Sequence, residues 1–344
     1  MNENLEEHIQ FESRIDLSEL QQTMDAVRKE LQKVIVGQDK LIDYLLVALL
    51  ANGHVLLEGV PGIAKTLAVR LLAKAVDTSF SRIQFTPDLM PSDILGTSVF
   101  DMKRSDFQFR KGPVFANLIL VDEVNRAPAK TQAAMFEVME ERQVTLDGDC
   151  YPMETPFIVI ATQNPIEQEG TYRLPEAQLD RFLFKIVVDY PNLAEEFEII
   201  RREHETKGFN KTDHIHSVVS GGEIAKFQLL VREVVVEGNL MAYIANIVQQ
   251  TRQTPFLYLG ASPRASIAIL NAAKGMAALN GRDFVTPEDI KDIAVPVLRH
   301  RLILSPEKEM EGLRAEQIIT DIIANIEVPR KVNRFLHITH EMKR

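Results

Sequence analysis

The sequence carries a single cysteine, Cys150, among 344 residues, so no internal disulfide can form and a reducing compartment is expected. Long apolar runs are missing: the longest clean one, residues 45–51, is far too short to span a bilayer, so no membrane insertion is expected. The opening stretch Met1-Asn2-Glu3-Asn4-Leu5-Glu6-Glu7 lacks the basic and apolar regions of a signal peptide, and a cytoplasmic protein is expected. Basic charge is in deficit. The 39 Lys+Arg face 49 Asp+Glu, a net −10, which counts against sequence-blind grip on nucleic-acid phosphates. Internal repeats and low-complexity tracts are also missing, and the composition excludes a disordered chain, a collagen and a coiled-coil rod. What remains, 45% hydrophobic and 26% charged, is an ordinary globular composition. At roughly 150 residues per domain the length suggests about two domains, and no staples are needed to hold a core.

The texture changes near Pro191. Before it, short apolar runs alternate with helical patterns, the signature of a parallel sheet covered by helices. Strands are expected at residues 55–57, 118–121, 157–161 and 182–188, with a weaker fifth at 82–85. Runs this apolar on both faces belong to buried central strands, because a half-exposed strand would alternate. Two inserted hairpins are expected at 98–109 and 143–157, the second turning at Asp147-Gly148. After Pro191 the periodicity is helical. Asn192 and Glu195 form a capping box opening an amphipathic helix with Phe197 and Ile200. Ser262-Pro263 and Thr286-Pro287 each place an N-cap residue before a first-turn proline. The expected organisation is an α/β core over residues 1–191, with an N-terminal helix, and an all-α domain over 192–344. Residues 207–222 read as a polar connector.

The strongest local signal is Gly59-Val60-Pro61-Gly62-Ile63-Ala64-Lys65-Thr66, followed by Leu67. It lies between an apolar strand and a helical pattern, where loop N–H groups and a helix N-terminus converge on one anion. Lys65 would reach β- and γ-phosphates, and the Thr66 hydroxyl would ligate Mg²⁺. Ala64 stands where the usual pattern has glycine. A second apolar strand ends in Asp122-Glu123. At the carboxyl edge of a parallel sheet that pair lies beside the phosphate loop. Asp122 can hold Mg²⁺ through water, and Glu123 can polarise an attacking water. A third strand ends in Thr162-Gln163-Asn164, whose polar tip can orient the same water.

At these residues the chain resembles the AAA+ ATPases and, within them, the MoxR family. The resemblance covers residues 31–301 and rests on five motifs. They are the phosphate loop, Val121-Asp122-Glu123-Val124-Asn125-Arg126-Ala127, Ala161-Thr162-Gln163-Asn164-Pro165, the stretch from Leu174 through Asp180-Arg181-Phe182, and Gly260-Ala261-Ser262-Pro263-Arg264-Ala265. Ala64 is usual in that family. The resemblance implies an AAA+ P-loop core with helices on both faces of its sheet, then an all-α lid, and ATP and Mg²⁺ as cofactors. It gives Asn164 the sensor 1 role and Arg264 sensor 2. It makes Arg181 the arginine finger of a neighbouring subunit's site, and Val36-Gly37-Gln38 the adenine-pocket segment. It further implies a homo-oligomeric, hexameric ring. Its work would be chaperone-like remodelling or maturation of a protein partner, with a von Willebrand factor A domain protein as the candidate.

Other readings remain open on the residues alone. Arg181 at a strand start can be a surface ion pair. Arg264 beside a helix start is badly placed for the helix dipole, which argues for a partner anion. The eight histidines form no zinc pattern and are expected at the surface. A nucleic-acid motor is the alternative function, disfavoured by the acidic balance and by the absence of a basic run with interleaved aromatics. A small-molecule kinase would have little use for Glu123 with Asn164, and an inactive scaffold would not retain every catalytic residue type.

Overall fold

Two periodicities build the chain: apolar runs of strand length up to Val187, and three-to-four-residue apolar spacing afterwards. A computed structural model describes residues 15–60, 65–103, 105–164, 172, 174–206 and 214–328. The elements of the first half are α1 (Ser18–Gln32), α2 (Asp39–Leu50), β1 (His54–Glu58), α3 (Lys65–Ala75), β2 (Phe80–Gln84), α4 (Pro91–Leu95), β3 (Gly96–Asp101), β4 (Asp106–Lys111), β5 (Leu118–Asp122), α5 (Ala129–Glu141), β6 (Gln143–Leu146), β7 (Asp149–Pro152), β8 (Ile158–Gln163), α6 (Glu176–Leu179) and β9 (Phe182–Val187). The second half holds α7 (Leu193–Thr206), α8 (Gly221–Arg232), α9 (Gly238–Gln253), β10 (Leu257–Leu259), α10 (Pro263–Leu279), α11 (Pro287–Leu298), β11 (Ile303–Leu304), α12 (Pro306–Met310) and α13 (Ala315–Asn325).

Five strands form one parallel sheet in the order β2-β5-β8-β1-β9. Its three central strands are buried on both faces, as their unbroken apolar runs require. Alternate residues feed two separate cores. Val55, Leu57, Leu118, Leu120 and Ile160 face α2, α3 and the second-half helices. Leu56, Ile119, Val121 and Val159 face α4 and α5. Helices therefore cover both faces of the sheet.

The hairpins β3–β4 and β6–β7 pair only with themselves and stand off this sheet. Asp147 and Gly148 both take positive φ (54° and 92°), the conformation the tight turn between β6 and β7 requires. The hairpins touch each other: Ser98 Oγ donates to Asp147 Oδ2 at 2.5 Å, and Phe109 packs on Tyr151 with ring centroids 4.3 Å apart.

In the second half the Asn192–Glu195 capping box forms, with Asn192 N–H donating to Glu195 Oε2 at 2.8 Å and Glu195 N–H to Asn192 Oδ1 at 3.0 Å. The apolar stripe of α7 stays uncovered by the described residues, with Phe197 and Ile200 exposed. Thr286 caps α11 as expected, its Oγ1 accepting from Asp289 N–H. Ser262 does not cap α10; its hydroxyl donates to Asp180 Oδ2 at 3.0 Å and ties the helical part to the sheet. The helical half is not purely α, since β10 and β11 form a short antiparallel pair. Among the described residues no helix is long and apolar enough to cross a membrane.

The expectation of surface histidines fails at two positions. His54 and His300 are 4% and 7% exposed. Each satisfies backbone that sheet formation would leave bare. His54 Nδ1 accepts from Val159 N–H at 3.0 Å, which leaves Nε2–H to donate to the Met139 carbonyl at 3.0 Å. Burial, reinforced by the nearby Arg142 charge, pushes the His54 pKa down to about 3. The unfolded chain therefore takes up a proton below about pH 6.5 that the native state refuses until about pH 3. Stability attributable to His54 is full above pH 6.5 and should fall by up to about 1.4 kcal/mol per pH unit below it. His54→Gln preserves both hydrogen bonds and should show a shallower decline in urea unfolding between about pH 6.5 and 4. Equal slopes for the two chains would contradict this assignment.

Candidate nucleotide site and the two edges of the sheet

All five strands point the same way, so the sheet has a carboxyl edge and an amino edge. The sequence-predicted residues divide between them.

At the carboxyl edge β1 runs into Gly59 and Val60, and α3 begins at Lys65. Residues 61–64 (Pro61, Gly62, Ile63, Ala64) lie outside the described residues, as do Pro165 and Arg173. Lys65 Nζ donates to the Gly59 carbonyl. Burial lowers the Lys65 pKa, while the carboxylates of Asp122, Glu58 and Glu123 oppose the shift. Thr66 and Leu67 follow on the first turn of α3, half-buried, Leu67 packing against the sheet's main core.

Asp122, the last residue of β5, is buried. Its carboxylate accepts from Arg82 Nε at 2.6 Å and from Thr162 Oγ1 at 3.1 Å. Glu123 sits at φ 56°, in the left-handed region that costs a non-glycine residue about 1–2 kcal/mol. Its neighbour strand holds it there. Glu123 N–H donates to Thr162 Oγ1 at 3.0 Å, and Val124 N–H to the Thr162 carbonyl at 3.0 Å. The Glu123 carboxylate accepts from Gln84 Nε2 at 3.0 Å and pairs with Arg126 at 3.1 Å. Asn164 follows the end of β8, whose Gln163 is in register with Glu58 of β1. The parallel register thus brings Gly59, Asp122, Glu123 and Asn164 to one edge.

The segment Val36-Gly37-Gln38 reaches the same edge. Gln38 Nε2 donates to the Asp189 carbonyl at 3.2 Å, just beyond β9. Gly37 has φ 69°, and a Cβ there would overlap the Glu195 side chain. Val36, half-buried, leads into this turn.

Arg181 and Arg264 are at the other edge. Arg181 immediately precedes β9, whose first residue, Phe182, pairs with His54 at the start of β1. Five strand residues at about 3.3 Å each put this edge roughly 16 Å from the phosphate loop, beyond the reach of an arginine side chain. Both guanidinium groups converge on Glu140 near the end of α5. Arg181 Nη2 lies 2.7 Å from Glu140 Oε2, and Arg264 Nη2 lies 2.9 Å from Oε1. Arg181 Nε is buried with no hydrogen-bond partner among the described residues. The two arginines share a cleft of about 280 Å³ with Asp180 and Arg301.

Arg301, buried just beyond the end of the lid's α11, fixes this edge. Its Nε pairs with Asp180 at 2.6 Å, and its Nη2 donates to the Phe182 carbonyl at 2.7 Å. Asp180→Ala would leave that guanidinium buried and uncompensated, a change that typically costs about 3–5 kcal/mol. Chemical denaturation of the full chain should show a loss of that order. A loss below about 1 kcal/mol would mean the pair is screened like a surface one.

Sequence reasoning missed Arg82, Gln84, Glu140 and Arg301. Each acts across a register or a helix packing, and none stands in a recognisable local pattern.

A five-stranded parallel sheet with a strand–loop–helix turn, an acidic strand end and a helical lid defines an AAA ATPase. The family model described as "ATPase family associated with various cellular activities (AAA)" matches residues 54–184, and the AAA lid domain matches residues 249–322. Within that class the chain belongs to the MoxR family of AAA+ ATPases. Chaperone MoxR1 of Mycobacterium tuberculosis is 46% identical over 317 residues, covering 90% of this chain and 83% of its own. The uncharacterised protein YeaC of Bacillus subtilis is 45% identical over 301 residues, covering 88% and 93%. A crystal structure from Cytophaga hutchinsonii, described as an ATPase, superposes with a TM-score of 0.84 at 44% identity, covering 91% of this chain and 97% of that one.

Proposed function

We propose that this chain is a Mg²⁺-dependent ATPase that works as a ring, a hexamer by family resemblance, and drives remodelling or maturation of a protein partner. One observation carries the reading. The loop lysine and acidic pair occupy the carboxyl edge, while the two converging arginines occupy the amino edge of the same sheet. A single copy cannot complete the site, whereas a neighbour presenting its amino edge can.

The residues at the carboxyl edge fit a Mg²⁺–triphosphate. A half-buried lysine, a helix N-terminus and a buried carboxylate converge there, supplying the cation, N–H donors and oxygen that such a ligand needs. When bound, Mg²⁺ neutralises charge that builds on the β- and γ-phosphate oxygens. Lys65 holds the phosphates, and Thr66 and Asp122 hold the ion. Glu123 accepts a proton from the attacking water, which Asn164 helps to orient. The neighbour's Arg181, with Arg264 beside it, stabilises negative charge on the transferred group.

Remodelling of a protein is supported by the chaperone name of the Mycobacterium tuberculosis relative and by the acidic balance of the chain. A von Willebrand factor A domain in the partner is part of the proposal on family resemblance alone. The single cysteine supports a reducing, cytoplasmic setting.

Specific ATPase activity should rise steeply with protein concentration and fall on dilution. Activity per chain that stays constant down to concentrations where sedimentation shows only monomer would overturn the shared site. Robust stimulation by DNA at physiological salt would replace the protein-remodelling reading with a nucleic-acid motor.

A further inference from the structure

Next to the arginine cleft, and sharing Ala51, Asn52, Arg142 and Asn271 with it as lining, lies a second cavity of about 400 Å³. It opens where three helices end: α2 at Leu50, α5 at Glu141 and α8 at Arg232, with α10 as its wall. Its volume is that of roughly a dozen waters at ~30 Å³ each. Its polar lining is Asn52, Arg142, Gln228, Arg232, Asn271 and Lys274, with no carboxylate among the lining residues. In a chain of net charge −10, three cations around one acid-free cavity is a local inversion.

Helix C-termini explain part of that charge. Arg142 Nη2 donates to the Asn52 carbonyl at 2.6 Å, and Lys274 Nζ to the Arg232 carbonyl at 2.6 Å. Each C-terminus carries about −0.5 of a charge, so three supply about −1.5 against three full positive charges. A surplus of about +1.5 remains. No carboxylate offsets it at the cavity: the Arg232 guanidinium, at the exposed rim, has no hydrogen-bond or ion-pair partner among the described residues, and its charge depresses the already burial-lowered pKa of Arg142. The Asn271 amide, exposed on α10, lines the same space with no hydrogen-bond partner among the described residues.

We propose that this cavity is a binding site for a compact phosphate-type polyanion, of the size and charge of a diphosphate, held by Arg142, Arg232 and Lys274. Such a ligand would exchange water for the cations of this rim, its charge lying between the two guanidinium groups and its oxygens within reach of the Asn271 amide. The site is separate from the nucleotide loop, which lies at the opposite edge of the sheet, and the inference does not depend on how Arg181 works.

Inorganic pyrophosphate is the probe, titrated calorimetrically into the full-length Lys65→Ala chain so that the nucleotide loop is disabled. Saturable binding that weakens with added salt is expected. Arg232→Ala together with Lys274→Ala should weaken it at least about tenfold, whereas Arg264→Ala, in the adjoining cleft, should leave it within about twofold. Arg142 is left intact because it also serves the end of α2; unchanged melting curves verify that the double variant is folded. Three results would overturn the proposal: no saturable binding, binding that survives the double substitution, or binding lost with Arg264→Ala alone. A fall in self-association of the double variant without any pyrophosphate binding would also overturn it, since a neighbouring copy's carboxylates would then be the anion.

Discussion

Arg181→Ala should bind ATP as the parent chain does and hydrolyse it about 10³- to 10⁵-fold more slowly, the range for an arginine supplied in trans to a transferring phosphoryl group. Lys65→Ala should fail for the opposite reason, because its phosphate pocket lacks the loop cation while its own Arg181 is intact. Mixing the two inactive chains should therefore restore part of the activity, at interfaces that pair a sound pocket with a sound arginine. Rescue should grow with protein concentration. A mixture that stays inactive while co-assembly is shown directly would return Arg181 to the role of a partner for Glu140, 2.7 Å away. That simpler role makes a further demand. If the ion pair were all that mattered, Glu140→Ala and Arg181→Ala would have matching effects, each within about 1 kcal/mol, as half-exposed pairs usually do.

Glu123→Gln is the second substitution with a large expected effect. It keeps side-chain shape and removes the proton acceptor, so ATP binding should persist while turnover falls about 10²- to 10⁴-fold. The geometry makes this a clean substitution. The amide that replaces the carboxylate retains an oxygen for Gln84 Nε2, which lies 3.0 Å from Glu123 Oε2, and the backbone bond to Thr162 is untouched. Only the ion pair with Arg126 is lost. Nucleotide binding measured by fluorescence and phosphate release measured on the same preparation separate the two steps. Wild-type turnover would remove Glu123 from the chemistry, and loss of binding would make it a structural residue of the loop.

The carboxyl-edge residues were legible because their signals are local. A phosphate loop, an acidic pair closing an apolar strand and a polar strand tip each occupy a few consecutive residues. Parallel strands then have one edge at which such tips must meet. The strands were readable for the same reason: β5 and β8 are apolar on both faces, which only a covered sheet permits. Glu140 stands in an ordinary amphipathic helix, and nothing near it in sequence marks it as the meeting point of two arginines 41 and 124 positions away (181 − 140 and 264 − 140).

The buried histidines and the lid contacts were illegible in a different way. A lone His54 among apolar residues looks like any strand residue until β8 and α5 close over it and supply Val159 N–H and the Met139 carbonyl. Ser262 has the sequence of an N-cap, but its hydroxyl is turned to Asp180 where the lid docks on the sheet. Likewise the apolar stripe of α7 satisfies every rule for a buried helix face, yet no described element of this chain comes to cover Phe197 or Ile200.

By itself, then, the sequence determined the family and the strands of the parallel sheet, and strand polarity is enough to bring the loop lysine and the acidic pair to one edge of it. Tertiary structure alone decided that Arg181 and Arg264 stand together at the opposite edge, and that a cationic cavity opens beside them. Those facts depend on how far apart a sheet holds its two ends and on which helix termini it gathers, and neither distance nor convergence is written in any local run of residues.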